Sequence, residues 1–328
     1  MYRMASSYAL CLSVAFLLLS PPFRIFIMNL SNLRPLGFGE TLDRAFTLYR
    51  HNFVLLVGTS FLTSMLVFVA VMVLAIILGM TAVVLPGSIA LVFMVPVGLG
   101  LAAISMIPYG ALAQQASQTY MGKQTSLGEG VGAGGRSAMT LVGAAILAAL
   151  TLGALMLGVM AVAFVLNLVV ALTGITALSL VVSFVTILGV AVAMVFVAAL
   201  FFAVVPAVVV EEKGPVEAIG RSMQLAKGAL PRIAGVMVVS MVITYLPIVA
   251  LAMVTGGFAA ISAADPAGMG TGQVVVALIL QQLLTLAVSV LALPFLLSVM
   301  VVLYYDRRVR TEALDVQIVT ERLALAGA

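Results

Sequence analysis

Three long stretches of this chain are almost free of charge. Residues 52–122 and 137–210 contain no Asp, Glu, Lys or Arg, and residues 233–305 contain only Asp265. Each stretch is about 70 residues long, whereas one membrane-spanning helix needs about 20 apolar residues. Each is therefore long enough for two spanning helices joined by a turn. The sequence predicts an all-α integral membrane protein with six transmembrane helices in three hairpins.

The overall composition also indicates a membrane protein. Hydrophobic residues make up 64% of the 328 residues, and charged residues make up only 8%. Because soluble domains carry about 25% charged residues, we exclude a soluble fold. The net charge of +4 requires no nucleic-acid partner, since membrane proteins concentrate Lys and Arg on their cytoplasmic loops. Cys11 is the only cysteine in the sequence, which excludes an internal disulfide and a cysteine metal site.

The basic residues predict the orientation of the chain in the membrane. Thirteen Lys or Arg residues follow Arg24, and all of them lie in the four segments that flank the hairpins. The three turns within the hairpins contain none. Under the positive-inside rule, the charged connections and the C-terminus face the cytoplasm. We therefore predict a multi-pass protein of the cytoplasmic, or inner, cell membrane.

The charged connections resemble one another. Each contains a glutamate three residues after a Gly or Ser, and the successive glutamates are 89 and 88 residues apart; they are Glu40, Glu129 and Glu217. A carboxylate at this spacing is typical of a helix N-terminus. A glycine follows each glutamate after 18, 14 and 18 residues respectively; these glycines are Gly58, Gly143 and Gly235. The period predicts three repeats, at about 37–125, 126–213 and 214–305.

We expect each repeat to be an interfacial amphipathic helix followed by a transmembrane hairpin. In the first and third copies, apolar side chains recur at helical spacing opposite charged ones. The middle copy contains Gly130, Gly132, Gly134 and Gly135, which disfavour a helix, so we expect an irregular segment there. Because each unit crosses the membrane an even number of times, the copies are parallel. Their rotation axis should lie along the membrane normal.

Three segments carry a resemblance to a known family. They are residues 34–53 (RPLGFGETLDRAFTLYRHNF), 206–235 and 303–312. Together they resemble the glycerophosphoryl diester phosphodiesterase membrane-domain family, over about residues 30–322. The resemblance implies an integral membrane domain, which in some members is joined to a soluble phosphodiesterase barrel.

The sequence contains no constellation of residues for catalysis. Glycerophosphodiester hydrolysis requires metal-binding carboxylates and histidines as acid and base, and His51 is the only histidine here. A histidine pair for zinc and a phosphate-binding glycine loop are also missing from the sequence. We therefore expect neither enzymatic activity nor a cofactor, and we expect the barrel of the resembling family to be absent.

Candidate structural or headgroup contacts lie near the predicted interfaces. They are Glu40, Arg44, Glu129, Arg136, Glu217, Arg221, Asp306 and Arg310. The pairs Glu40–Arg44 and Glu217–Arg221 are four residues apart, which places each pair on one helix face. We expect exposed pairs that contribute about 0.3–0.5 kcal/mol each. The alternative is that the arginine contacts the neighbouring repeat.

Two functions remain open at this stage. The first is a non-catalytic membrane protein that interacts with the lipid bilayer, with a membrane partner or with copies of itself. The second is a transporter or lipid-handling permease, for which Gln281 and Gln282 in the sixth span are candidates to line a cavity, since amides are costly in lipid. A polar cavity open to one face would favour the second function, and a bundle filled with aliphatic side chains would favour the first.

The two ends of the chain fall outside the predicted membrane domain, which covers residues 29–310. Residues 1–28 resemble the basic and apolar regions of a signal peptide, but a convincing cleavage site is missing. We predict Met28 as the natural start, with a seventh short helix as the alternative. Residues 311–328 are expected to form a cytoplasmic tail.

Overall fold

The computed structural model describes residues 34–84, 87–264, 271–313 and 320. These residues form helices and contain no strand; the helices are α1 (Phe38–His51), α2 (Phe53–Val84), α3 (Gly87–Tyr120), α4 (Leu127–Ala171), α5 (Thr176–Leu200), α6 (Val204–Val210), α7 (Pro215–Ala226), α8 (Leu230–Ala264) and α9 (Thr271–Glu312). The predictions for residues 1–28, and for most of the tail at 311–328, lie outside the described residues.

Six parts of the chain are long and apolar enough to span a membrane. They are Phe53–Leu74, Pro96–Tyr120, Leu127–Ala171, Thr176–Val210, Leu230–Pro247 and Leu286–Glu312. The prediction of an all-helical chain with six membrane-spanning helices is confirmed at this level. The three turns within the predicted hairpins contain no basic residue, so the basic residues lie in the segments that flank the hairpins.

Three helices begin where the recurring glutamates predict. Gly37, Ser126 and Gly214 are the N-cap residues of α1, α4 and α7. The carboxylate of Glu40 accepts the backbone N–H of Gly37 at 3.1 Å, and that of Glu129 accepts the N–H of Ser126 at 3.1 Å. These carboxylates bind donors that the start of a helix leaves without a partner. The prediction of three helix N-termini is confirmed.

The expectation of an irregular segment in the middle copy is wrong. Helix α4 continues from Leu127 to Ala171 without a break, so the second unit has no separate short helix. Its glycines allow α4 to lie directly against α3. A Cβ added to Gly110 would lie 2.9 Å from the Cα of Gly134, and one on Gly134 would lie 2.9 Å from the backbone nitrogen of Ala111. This close approach of two helices compensates for the low helix propensity of glycine.

The fourth span is interrupted near its charged end. Helix α5 ends at Leu200, and α6 begins four residues later. In a continuous helix the ring of Pro206 would clash with the carbonyl of Phe202. The hydroxyl of Ser222 in α7 donates to the carbonyl of Leu200 at 2.7 Å and accepts the N–H of Ala203 at 3.0 Å. Backbone groups freed by the break are therefore hydrogen-bonded by a neighbouring helix.

Three recurring glycines make the same kind of contact. Each lies in a long helix and contacts the first residue of α4, α7 or α1. The pairs are Gly58 with Leu127 (3.7 Å), Gly143 with Pro215 (3.0 Å) and Gly235 with Phe38 (3.0 Å), measured from a Cβ added to each glycine. The first predicted unit thus contacts the second, the second contacts the third, and the third contacts the first.

Side chains are well buried near the charged end and largely exposed along the α4–α5 hairpin. Tyr304, Phe202 and Leu297 are fully buried among the helices near that end. Farther along the hairpin, apolar side chains such as Phe164 and Phe184 are 67% and 69% exposed. An exposed apolar surface of this kind is suited to contact with lipid chains.

Candidate functional site

The charged side chains of the described residues gather at one end of the bundle, which we call the polar end. It is formed by α1, the start of α4, residues 211–232 and the last three turns of α9. The last turns of α9 supply most of its polar side chains. Tyr304, Arg308 and Glu312 recur every four residues and share one face, while Asp306 and Arg310 share another. One helix therefore presents two polar faces to different parts of the protein.

The first face of α9 forms what we call the Arg221 cluster, with Arg221 of α7 and Glu211. The Nε of Arg221 lies 3.0 Å from both carboxylate oxygens of Glu211, and its Nη1 contacts Glu312. The hydroxyl of Tyr304 donates to Glu211 at 2.5 Å, and Arg308 donates from Nε to Glu312 at 3.1 Å. The charged side chains are only 14–24% exposed. The cluster therefore connects α7 to α9 largely out of water.

Electrostatics favour the charged forms in this cluster. Burial alone would raise the pKa of Glu211, but hydrogen bonds from Arg221 and Tyr304 hold that pKa below its ordinary value. The hydrogen bond to Glu312 raises the pKa of Arg221, against the opposite effect of burial. An arginine with two carboxylate partners remains charged at every physiological pH.

The second face of α9 forms what we call the Asp306 cluster. The Asp306 side chain is fully buried, and its Oδ1 accepts the backbone N–H of Leu36 at 2.7 Å. Arg310 donates from Nε to the same carboxylate at 3.0 Å, and the Nη2 of Arg232 lies 3.3 Å from Oδ2. Both arginines also donate to the carbonyl of Leu36. Both backbone polar groups of Leu36, which lies just before α1, are therefore hydrogen-bonded by side chains of α8 and α9.

Two further residues of α9 bind other parts of the polar end. Arg307 donates to the carbonyls of Leu225 at 2.8 Å and Lys227 at 3.1 Å, at the end of α7. The hydroxyls of Tyr305 and Ser117 lie 2.7 Å apart and join α9 to α3. The end of α9 thus contacts all three predicted units.

The expectation of an exposed Glu217–Arg221 pair is wrong. Within the described part of the chain, the carboxylates that pair with Arg221 are those of Glu211 and Glu312, and Glu217 is exposed. The physical reason is that α9 and the end of α6 bring two carboxylates to a partly buried site, where ion pairs are stronger than in water. The structure agrees with the alternative, in which this arginine contacts a neighbouring unit.

The other candidate residues have separate positions. Glu40 pairs with Arg34, and its pairing with Arg44 stays a prediction. Arg136 is exposed and lines a polar cavity of about 300 Å³ beside α3 and α6. The remaining two, Gln281 and Gln282, are helical positions of α9 whose side chains lie outside the described residues.

A second cavity of about 590 Å³ lies between α2, α3 and α9. Its lining is mainly apolar and includes Phe68, Met72 and Leu293, together with the hydroxyl groups of Ser105 and Tyr109. A cavity of this size and character suits an apolar chain better than an ion.

Sequence reasoning missed several members of the two clusters. Glu211, Tyr304, Glu312 and Arg232 were not among the candidates, although the four-residue spacing of polar residues in 304–312 was a usable signal. Where side chains are described, no group of three or more His, Cys, Asp and Glu could hold a metal ion. The acidic and basic groups instead pair with one another and with backbone atoms.

The fold and the polar end define a helical chain suited to spanning a membrane six times. Comparison with protein-family models, curated proteins and solved structures yields no match. The family resemblance of residues 34–53, 206–235 and 303–312 therefore stays a hypothesis.

Proposed function

We propose that this protein is a non-catalytic multi-pass membrane protein whose polar end interacts with lipid headgroups. One observation carries the proposal: charged and polar groups are concentrated at one end, while the hairpin of α4 and α5 exposes apolar side chains along its length. A protein with this distribution contacts acyl chains along its spans and headgroups at its polar end. The resemblance to the glycerophosphoryl diester phosphodiesterase membrane-domain family supports the same function. Another membrane protein, or a second copy of this chain, is the alternative partner.

The three units are parallel repeats arranged about an axis along the membrane normal. Support comes from the equivalent glycine contacts, in which Gly58, Gly143 and Gly235 each contact the start of another unit. Three such contacts that return to the starting unit are what a rotation about one axis produces, whereas inverted repeats would place successive units on opposite faces. In this arrangement α1 and α7 are interfacial helices.

The polar end faces the cytoplasm, because all thirteen basic residues after Arg24 flank the hairpins on one side. In a chain carrying Cys11→Ser, a new cysteine at Gly174 is expected to react with a membrane-impermeant maleimide added to intact cells. A cysteine at Lys123 is expected to react only after the cells are opened. Labelling of position 123 in intact cells would contradict this orientation.

A lipid-handling permease is the second candidate function. The specific observation that favours it is the apolar cavity of about 590 Å³ between α2, α3 and α9, with a few hydroxyl groups on its wall. A permease would use such a cavity to shield an acyl chain or a lipid during transfer between leaflets.

One reconstitution experiment separates these functions. The purified protein would be analysed by mass spectrometry for retained phospholipid, and then reconstituted into vesicles that contain a fluorescent phospholipid. We expect retained phospholipid without faster movement of the fluorescent lipid between leaflets than in protein-free vesicles. Accelerated movement would instead establish the permease, and a protein that retains no phospholipid would contradict the proposed function.

A further inference from the structure

The polar cavity of about 300 Å³ is lined by residues of the first and second predicted units. Its wall combines α3, α4 and the end of α6 with the residues that follow it; the polar side chains are Gln114, Arg136, Ser137, Thr140, Glu212 and Lys213. Arg136 lies seven residues, or about two helical turns, before Gly143, which contacts Pro215. The contact of Gly143 with Pro215 therefore lies about two turns of α4 away from Arg136 in the cavity wall.

Acidic and basic side chains both line this cavity, but they do not form ion pairs with one another. Among the ion pairs of the described ranges, none includes Arg136 or Glu212, and Lys213 contacts only Glu211, at the long distance of 3.7 Å. This contrasts with the Arg221 and Asp306 clusters, where each guanidinium contacts a carboxylate. The cavity can therefore offer a guanidinium, an ammonium and a carboxylate to a ligand.

Glu212 lies directly after the end of α6. Its φ angle is +52°, a left-handed conformation that is uncommon for residues other than glycine. The carbonyl of Ala207 accepts the N–H of Glu211 at 3.2 Å and that of Lys213 at 3.4 Å. This pattern commonly ends a helix, and here it turns the chain so that Glu212 and Lys213 both line the cavity.

We propose that this cavity binds the zwitterionic headgroup of an amine-bearing phospholipid, such as phosphatidylethanolamine. The phosphate would accept hydrogen bonds from Arg136 and Lys213, for which charge-assisted bonds are the strongest available. The headgroup ammonium would donate to the carboxylate of Glu212. The proposal rests on the proposed function, because it names the lipid that the polar end binds.

The surface next to the cavity supports a lipid rather than a free phosphate ester. Met139, Ile146 and Leu150 follow Arg136 along α4 at helical spacing and are 65%, 47% and 66% exposed. They form an apolar stripe that leads from the cavity toward the middle of the span. Acyl chains attached to a headgroup at Arg136 would lie along this stripe.

Binding to defined lipids tests the assignment. The purified chain in detergent would be titrated with phosphatidylethanolamine, with phosphatidylglycerol and with soluble glycerophosphoethanolamine. We expect phosphatidylethanolamine to bind at least about tenfold more tightly than phosphatidylglycerol, since one charge-assisted hydrogen bond supplies a factor of this size. We also expect it to bind more tightly than glycerophosphoethanolamine, because only the lipid has acyl chains that bury apolar surface. Equal affinity for the two lipids would overturn the zwitterionic site, and equal affinity for the soluble compound would show that the acyl chains add nothing.

Three variants locate the binding within the cavity. Arg136→Gln should weaken both lipids about tenfold, and Glu212→Gln should remove only the preference for phosphatidylethanolamine. Lys123→Gln, which replaces an exposed cation in the turn before α4 that does not line the cavity, is the matched control and should bind as the native chain does. Lys213→Gln provides a second cation variant if Arg136→Gln lowers the yield of folded protein.

The outcomes distinguish the two proposals. If the native chain binds lipid but Arg136→Gln and Lys213→Gln do so equally well, the cavity is not the site, while the proposed function stands. If the native chain binds no lipid under any condition, the proposed function fails as well.

Discussion

Replacing Asp306 with alanine is expected to destabilise the protein more than any other single change at the polar end. The fully buried carboxylate accepts the N–H of Leu36 and pairs with Arg232 and Arg310, so its removal leaves two guanidinium groups and a backbone donor without their shared partner. Breaking a buried ion pair in this way costs about 3–5 kcal/mol. The melting temperature in detergent should fall by roughly 10 °C.

Two further variants make this result interpretable. Asp306→Asn keeps an oxygen for the N–H of Leu36 but loses the charge, so its melting temperature should lie between those of the native chain and Asp306→Ala. Asp43→Ala removes an exposed carboxylate of α1 and should change the free energy of unfolding by less than about 0.5 kcal/mol. If Asp306→Ala melts with the native chain, the Asp306 cluster does not stabilise the fold.

Two glycines of α4 are expected to respond to alanine in opposite directions. A Cβ on Gly134 would lie 2.9 Å from the backbone nitrogen of Ala111 and even closer to the carbonyl oxygen of Ile107, so α3 and α4 would have to separate. Such overpacking costs about 1–3 kcal/mol. A Cβ on Gly132 would contact nothing within 4 Å. Because alanine favours a helix more than glycine does, Gly132→Ala should stabilise by about 0.5–1 kcal/mol.

The comparison is made by thermal unfolding of both variants in the same detergent. Since the two glycines lie two residues apart in one helix, the two variants add the same methyl group at nearly the same height along the helix, and only its contacts differ. A melting temperature that rises in both variants would show that the close contact between α3 and α4 does not exist in solution.

The spans and helix starts were predictable because their causes are local. The number of spans follows from the length of the uncharged stretches. A glutamate three residues after Gly37, Ser126 or Gly214 indicates a helix start, and this signal does not depend on which part of the protein the helix contacts. The same local reasoning wrongly predicted an irregular segment at the glycine-rich start of α4. There, contact with Gly110 of α3 decides the conformation, and helix propensity alone does not include that contact.

The two ionic clusters could not be predicted because their partners are distant in sequence. Leu36 and Asp306 are 270 residues apart, and Tyr304 and Glu211 are 93 residues apart. The four-residue spacing of Glu217 and Arg221 indicated a local pair. However, packing supplied Arg221 with two less exposed carboxylates, whose pairing is stronger than that of a solvated one.

The hydrogen bond between Leu36 and Asp306 affects the order in which the protein assembles during synthesis. Leu36 leaves the ribosome long before Asp306 exists, since 270 residues separate them. Earlier hairpins can enter the membrane as they are made, but the peptide before α1 has no carboxylate to hold it until α9 has been inserted. Arrival of the final span therefore fixes the segment before α1 to α8 and α9, and chains stalled before this point would present the free Leu36 segment to the quality-control proteases of the cell.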